Sequence, residues 1–253
     1  MLFLLPPSES KVPGGDPHRA LDLDSLSRPE LGAARRRTLA RLRELSSNLG
    51  EAASALGLGI RNREEARVNR DVRSGPTRPA IERFDGVLYD ALAIETLDAD
   101  GRGWLDGHVA IASALFGLVA PEDRIPAYRL SADTRIPGTT LRAIWRDPLT
   151  RALAREPGPV VDLRSEAYAA LGPAPAGSVF VRVVTGSEGR RRALNHFNKA
   201  AKGALVRTLS TERPELRSLD DLLDWARSAG IALERGADAE LDLVVETSSV
   251  KAG

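Results

Sequence analysis

A chain of 253 residues, 42% hydrophobic and 28% charged, can bury a sizeable core within one domain and has the balance of a soluble globular protein. It has no cysteine and only three scattered histidines (His18, His108, His196), which excludes disulfides, thiolate metal sites and cysteine nucleophiles and leaves no metal site to expect. The net charge of +1 excludes a histone-like coat, yet residues 178–213 hold eight basic groups against two acids, so one positive face or cleft is expected.

In chain order, Met1–Leu5 reads as a short buried strand stopped by Pro6-Pro7. It lacks the basic n-region and longer apolar core of a signal peptide, and no segment reaches the length of a membrane span, so a cytoplasmic protein is expected. A helical stripe of Leu31, Leu39, Leu42 and Leu45 runs through Pro29–Leu49, with Asn48-Leu49-Gly50 read as its C-cap and a new helix from Glu51. The segment Phe84–Tyr89 leads into a helix over Ala91–Leu97, and Gly107–Leu118 is a buried strand or helix. Val160–Leu163 and Ser178–Thr185 read as strands, Gly186–Gly189 as a turn and Arg191–Phe197 as a returning strand. Lys199–Leu209 is helical, Ser218 N-caps a helix with Asp220 and Asp221 in its first turn, and Leu241–Val245 is a last strand. With no repeat, heptad or long linker, residues 1–253 are expected to form one α/β domain around a mixed sheet.

The chain uses four lysines against thirty-two arginines, and Lys199 and Lys202 share the segment Asn195–Gly203 with Asn195 and Asn198. Arginine is a rigid fork, whereas lysine is a compact charge whose pKa moves readily on burial, so retained lysines mark places where the ammonium itself matters. If a helix starts near Asn198, both lysines lie in its first turn, where an anion would relieve their conflict with the helix dipole. Ser8 and Lys11 stand in the loop after the first strand, a usual place for ligand contacts in α/β folds. Their Ser-x-x-Lys spacing matches some acyl-transfer enzymes, but the companion motifs are missing. Gly57 and Gly59, in Leu56–Arg61, and Gly117, in Phe116–Leu118, are candidates for hairpins whose backbone amides contact DNA phosphates, as in helix-hairpin-helix modules. Arg61, Arg63, Arg67 and Arg70 would add phosphate affinity near the first. Tyr89, Tyr128 and Tyr168 stand beside apolar residues and read as core tyrosines with satisfied hydroxyls.

Taken together, Met1–Lys11, Phe84–Tyr89, Leu115–Leu130, Ile144-Trp145, Val161–Tyr168 and Asn195–Arg207 occur in the order seen in the YaaA peroxide-stress family. The chain resembles a divergent, actinobacterial-type member over nearly its whole length. The resemblance implies a single mixed α+β domain, its central mixed sheet flanked by helices, with a basic cleft and binding to DNA. It also implies a part in limiting free iron, and hence DNA damage, under peroxide stress. Carried across, the cleft would include Lys11, Arg129, Lys199, Lys202 and Arg207, with Tyr128-Arg129-Leu130 matching the family's Tyr-Arg-Leu element. The chain departs from the family at Ala120, where an arginine is usual, and at Ser131–Thr134, which replaces a Glu/Ser-Met-Gly element.

Two functions follow as expectations. The first is a peroxide-stress protein that binds DNA through phosphate contacts from Ser8, Lys11, Tyr128, Arg129, Asn195, Asn198, Lys199, Lys202 and Arg207. The second is an enzyme using the same cleft on a small anionic or nucleotide-like substrate, with Lys199 and Lys202 catalytic. No cofactor is assigned by any motif, and no membrane partner is expected.

Overall fold

Leu2–Leu5 (β1) buries four successive side chains without polar alternation, the signature of a strand covered on both faces. The structure, a computed structural model, describes residues 1–185 and 195–245, with the backbone alone at residues 60 and 195–197. After β1 an irregular stretch leads to a 3₁₀ turn at Pro29–Leu31 and helix α1 (Gly32–Leu45), which buries Leu39, Leu42 and Leu45 as its stripe requires. Helix α2 (Leu49–Ala55) follows at once, then 3₁₀ turns over Ile60–Asn69. Strand β2 (Thr77–Pro79) precedes helices α3 (Ala80–Arg83), α4 (Val87–Leu92) and α5 (Ala99–His108). Strands β3 (Val109–Ser113), β4 (Gly117–Val119), β5 (Arg124–Pro126), β6 (Arg135–Ile136) and β7 (Thr139–Thr140) lead to helix α6 (Leu141–Leu153). The last third runs β8 (Val160–Asp162), α7 (Glu166–Leu171), β9 (Val179–Thr185), α8 (Asn195–Glu212), α9 (Leu219–Ser228), β10 (Leu233–Arg235) and β11 (Glu240–Val245).

Seven strands form the central sheet in the order β10-β11-β9-β8-β1-β3-β4. The five middle strands run parallel, and β10 and β4 close the edges antiparallel. Helices flank this mixed sheet in one α/β domain. The strand order creates a switch point in the sheet. From β1 the chain crosses to β3 on one side, whereas β8, beside β1, leads to β9 on the other. The loops leaving β1 and β8 therefore diverge, and a crevice opens beyond their carboxyl ends, the usual ligand position in open parallel sheets.

Several expectations need correction. Asn48 is not part of a C-cap: its side chain accepts from the backbone N–H groups of Gly50 and Glu51 and so N-caps α2. Residues 195–197 open helix α8 instead of closing a returning strand, while residues 186–189 and 191–194 lie outside the described residues. With α8 running from Asn195, Lys199 sits in its second turn and Lys202 almost a turn further on, so neither lysine faces the dipole end. Gly57 is left-handed (φ +66°), but Leu56–Ile60 joins α2 to 3₁₀ turns, not to a second α-helix. Ser218 does cap α9, in a reciprocal box with Asp221.

Gly117 is a core glycine and not a surface hairpin. It is buried in β4 at φ +79°, and a Cβ there would stand 2.6 Å from the Trp145 ring. Trp145 is fully buried and donates its indole N–H to the Ala114 carbonyl at 2.9 Å, so the ring cannot swing away. Gly117→Ala is therefore expected to destabilise the fold by about 2–4 kcal/mol, combining left-handed strain with overpacking. The check is a lower urea midpoint at unchanged denaturant slope; a loss under about 0.5 kcal/mol would show that the ring yields.

Candidate functional site at the divergence of two parallel strands

A cleft of about 620 Å³ lies where the strand order places it. Its walls are Pro6–Ser10 after β1, Asp85–Tyr89 leading into α4, Leu163 and Ser165 after β8, and Asn198, Lys199 and Lys202 of α8. On a helix, residues three and four apart share a face, so Asn198 and Lys199 present themselves beside Lys202. Helix α8 comes close because Gly203 has no side chain: a Cβ there would stand 2.1 Å from the Leu88 carbonyl oxygen of α4.

The two lysines of the cleft differ. Lys199 is exposed, whereas Lys202 keeps 5% of its surface. The Lys202 ammonium donates to the Leu163 carbonyl at 3.0 Å and lies 5.4 Å from the Phe180 ring centre. No carboxylate forms an ion pair with it among the described residues. Burial, only partly opposed by the charge of Asp162, lowers its pKa to about 8.

The Leu163 carbonyl is itself held in place. Asp162 accepts from the Arg164 backbone N–H at 3.0 Å and from its guanidinium at 2.8 and 2.7 Å, a buried two-pronged pair. The same guanidinium donates to the Gly172 carbonyl at 3.0 Å, tying the end of β8 to the end of α7. Sequence reasoning gave this pair no role. Its signal was an acid and an arginine two residues apart directly after an apolar strand, and Phe180 was likewise hidden inside an ordinary strand pattern.

Lys11, the residue after the wall segment Pro6–Ser10, packs against Tyr128 instead. Its ammonium donates to the carbonyls of Ser8 (2.9 Å) and Glu9 (3.0 Å) and lies 4.4 Å from the Tyr128 ring centre. It does not bond the Ser8 hydroxyl, which donates to the Ser10 carbonyl and accepts from the Asp85 N–H, so no Ser-Lys nucleophile pair is formed. The residue as a whole is half-buried, but its ammonium is enclosed, and this desolvation, with nearby Arg129, lowers its pKa to about 7. Arg129 pairs with Glu65 at 3.3 Å and Glu9 at 3.9 Å.

Tyr128 shares a 2.7 Å hydrogen bond with Ser113, and Tyr89 donates to the Pro6 carbonyl at 2.8 Å. The Ala132 backbone bonds Tyr168, in the loop where the chain departs from its resemblance. Burial raises the pKa of all three hydroxyls, which stay protonated. The structure thus brings Ser8, Asn198, Lys199 and Lys202 together, with Lys11, Tyr128 and Arg129 one layer behind Glu9. Arg207 is elsewhere: it donates to the carbonyls of Leu92 (3.3 Å) and Ala93 (2.7 Å) at the end of α4. Asn195 opens α8, and its side chain lies outside the described atoms. With Glu9 and Asp85 also in its wall, the cleft is mixed in charge.

The family model described as "Peroxide stress protein YaaA" matches residues 1–235. The chain belongs to the YaaA peroxide stress family. Its relatives include a UPF0246 protein of Corynebacterium efficiens, 45% identical over 97% of this chain and the whole of that protein. A UPF0246 protein of Corynebacterium glutamicum is 40% identical over 97% of this chain and all of its own length. Another, of Streptomyces coelicolor, is 39% identical over 95% of this chain and 94% of its own. Among the described residues of this YaaA-family chain, no helix is long and apolar enough to cross a membrane.

Lys11 yields a prediction about pH. Its folded pKa of about 7 lies below its ordinary value of 10.5, so the unfolded chain binds more protons between these limits and stability rises with pH there. In Lys11→Met, which keeps an apolar stem against Tyr128, that gain should vanish. Urea unfolding at pH 7 and pH 10 is expected to show wild type gaining roughly 1–3 kcal/mol relative to the variant, allowing for screening at a half-buried residue. Parallel pH profiles would place the Lys11 ammonium in water.

Proposed function

We propose that this cytoplasmic YaaA-family protein acts in the peroxide-stress response by binding a small anionic, nucleotide-like ligand in the cleft between β1 and β8. The carrying observation is the inward position of Lys202, 5% exposed in the wall of a 620 Å³ cleft, with exposed Lys199 beside it. A duplex backbone reaches cations that project into solvent, whereas a compact ligand can enter, meet Lys199 and Asn198 and approach Lys202. The cleft's volume suits a ligand of nucleotide size, and Pro6, Pro7 and Val87 supply an apolar wall beside the polar one.

Duplex DNA binding, with limitation of iron-dependent oxidative damage as its outcome, is the second reading. It draws on the exposed Lys199 and on Arg61, exposed just beyond Gly59. Among the described residues, no group of three or more His, Asp or Glu side chains is placed to hold a metal ion.

A thermal-shift panel of mononucleotides and inorganic phosphate, run beside a salt titration of duplex binding, separates the two. The small-ligand reading expects a clear shift with at least one mononucleotide and roughly tenfold weaker binding in Lys199→Ala, the loss of one charge-assisted contact. Submicromolar duplex binding, with a steep salt slope that falls by about one in Lys199→Ala and no mononucleotide shift, would overturn it in favour of DNA.

A further inference from the structure

The ligand's chemistry can be narrowed from the way Lys202 is held, an extension that rests on the small-ligand reading above. A buried lysine kept only for its charge is normally matched by a carboxylate, because an unpaired buried ammonium is costly. Lys202 is matched by a neutral carbonyl, that of Leu163, at 3.0 Å. That bond uses one of the three hydrogens of the ammonium, or one of the two of the neutral amine. The neutral form therefore keeps its hydrogen bond while its lone pair is free to turn elsewhere.

The nitrogen is also placed for attack. Lys202 lines the cleft, so a molecule inside can meet it, yet its burial beside Phe180 keeps bulk water from solvating the ammonium. One helical turn away Lys199 faces the same cleft, exposed and able to take an anionic group without being consumed. An enclosed amine whose polar partner is uncharged, next to an exposed cation, is the layout of a lysine that reacts with carbonyl groups of anionic molecules.

We infer that Lys202 captures the aldehyde or ketone group of a small phosphate- or carboxylate-bearing molecule as an imine. The amine lone pair attacks the carbonyl carbon and the carbonyl oxygen takes up the amine proton, giving a carbinolamine. A proton from water reaches that oxygen, the C–O bond breaks, and water leaves as the C=N bond forms; the protonated imine that results returns one proton to water. No oxidant or reductant is needed, and water reverses the sequence. The lowered pKa of Lys202, about 8, gives on the order of 100-fold more neutral amine near neutral pH than an ordinary lysine has.

The chain offers a clean test because it has only four lysines, Lys11, Lys199, Lys202 and Lys251. The full-length protein is incubated with pyridoxal 5′-phosphate, a phosphorylated aldehyde, and treated with borohydride, which reduces any imine to a stable secondary amine. Peptide mass spectrometry then locates the adduct. The expected result is one adduct per chain at Lys202, forming at least tenfold faster than at any other lysine and competed by the mononucleotide that shifts the protein thermally. Lys199→Ala, outside the core, should keep the adduct at Lys202 but need several-fold more probe. Lys202→Arg, with folding checked by circular dichroism, should lose it. If Lys202→Arg fails to fold, the mapping in wild type still decides.

An adduct confined to Lys11, Lys199 or Lys251 overturns the proposal. So does the absence of any adduct at Lys202 in protein that binds mononucleotides, and in that case the small-ligand reading survives. Failure of both mononucleotide binding and adduct formation removes the two together.

Discussion

The cleft depends on one buried contact, the pair between Asp162 and Arg164 at the end of β8. The carboxylate accepts three hydrogen bonds from the single residue Arg164, and the guanidinium continues to the Gly172 carbonyl at the end of α7. Removing either partner would leave a buried charge uncompensated, an effect of about 3–5 kcal/mol. The pair encloses Leu163, whose backbone N–H reaches back to the Leu4 carbonyl of β1 at 2.9 Å. The Leu163 carbonyl is thus fixed to both strands that diverge at the cleft, and Lys202 takes its position from that carbonyl. The charge pair of Asp162 and Arg164 in this way sets the place of the Lys202 amine.

The same division of labour runs through the chain's use of basic residues. Arginines carry structure. Arg35 donates to the carbonyls of Ser27, Phe116 and Leu118 and anchors α1 to β4, while Arg83 gathers the carbonyls of Val12, Gly14, Pro76 and Ile125 around α3. A planar fork with five N–H groups can bridge several carbonyls of different segments, which a single ammonium cannot do over the same span. Burial lowers both guanidinium pKa values only to about 10, so both remain charged at neutral pH and keep their full set of donors. Lysine under similar enclosure behaves differently. At Lys11 and Lys202 it comes within reach of neutrality, a consequence of burial that the scarcity of lysine in the sequence does not reveal.

What was legible in the sequence follows the range of the interaction concerned. The apolar runs Leu2–Leu5 and Val179–Thr185 and the Ser218 cap announce themselves because periodicity and capping are local. Asn48 was misread because Asn-Leu-Gly suits either end of a helix, and only the side-chain bonds to Gly50 and Glu51 decide which. Gly117 was misread for a different reason. Nothing nearby in sequence reveals Trp145, twenty-eight residues on, lying against it. Arg207 was placed among the cleft cations by the family resemblance, yet it lies five residues beyond Lys202, which at 100° per residue turns it away from that lysine toward the end of α4. The cleft itself could not be placed without the strand order, because nothing in the segments after β1 and β8 says that these strands are neighbours.

The shape of the cleft also limits what its cations can do. Gly203 lets α8 close on α4 to a distance that any side chain would forbid, and this carries Lys202 inward, beneath the line of the exposed Lys199. A phosphate on a duplex is reached best by a cation free to move in water, where the interaction is long-ranged and screened by salt. An ammonium drawn beneath the surface gives up that reach and bears a desolvation cost that the Leu163 carbonyl and the charge of Asp162 offset only in part. The close approach of the two helices, fixed by one missing side chain, supports the proposed reading of a contained site over one of surface electrostatics. Lys199, left at the mouth, keeps the attraction for anions that would bring a ligand to Lys202.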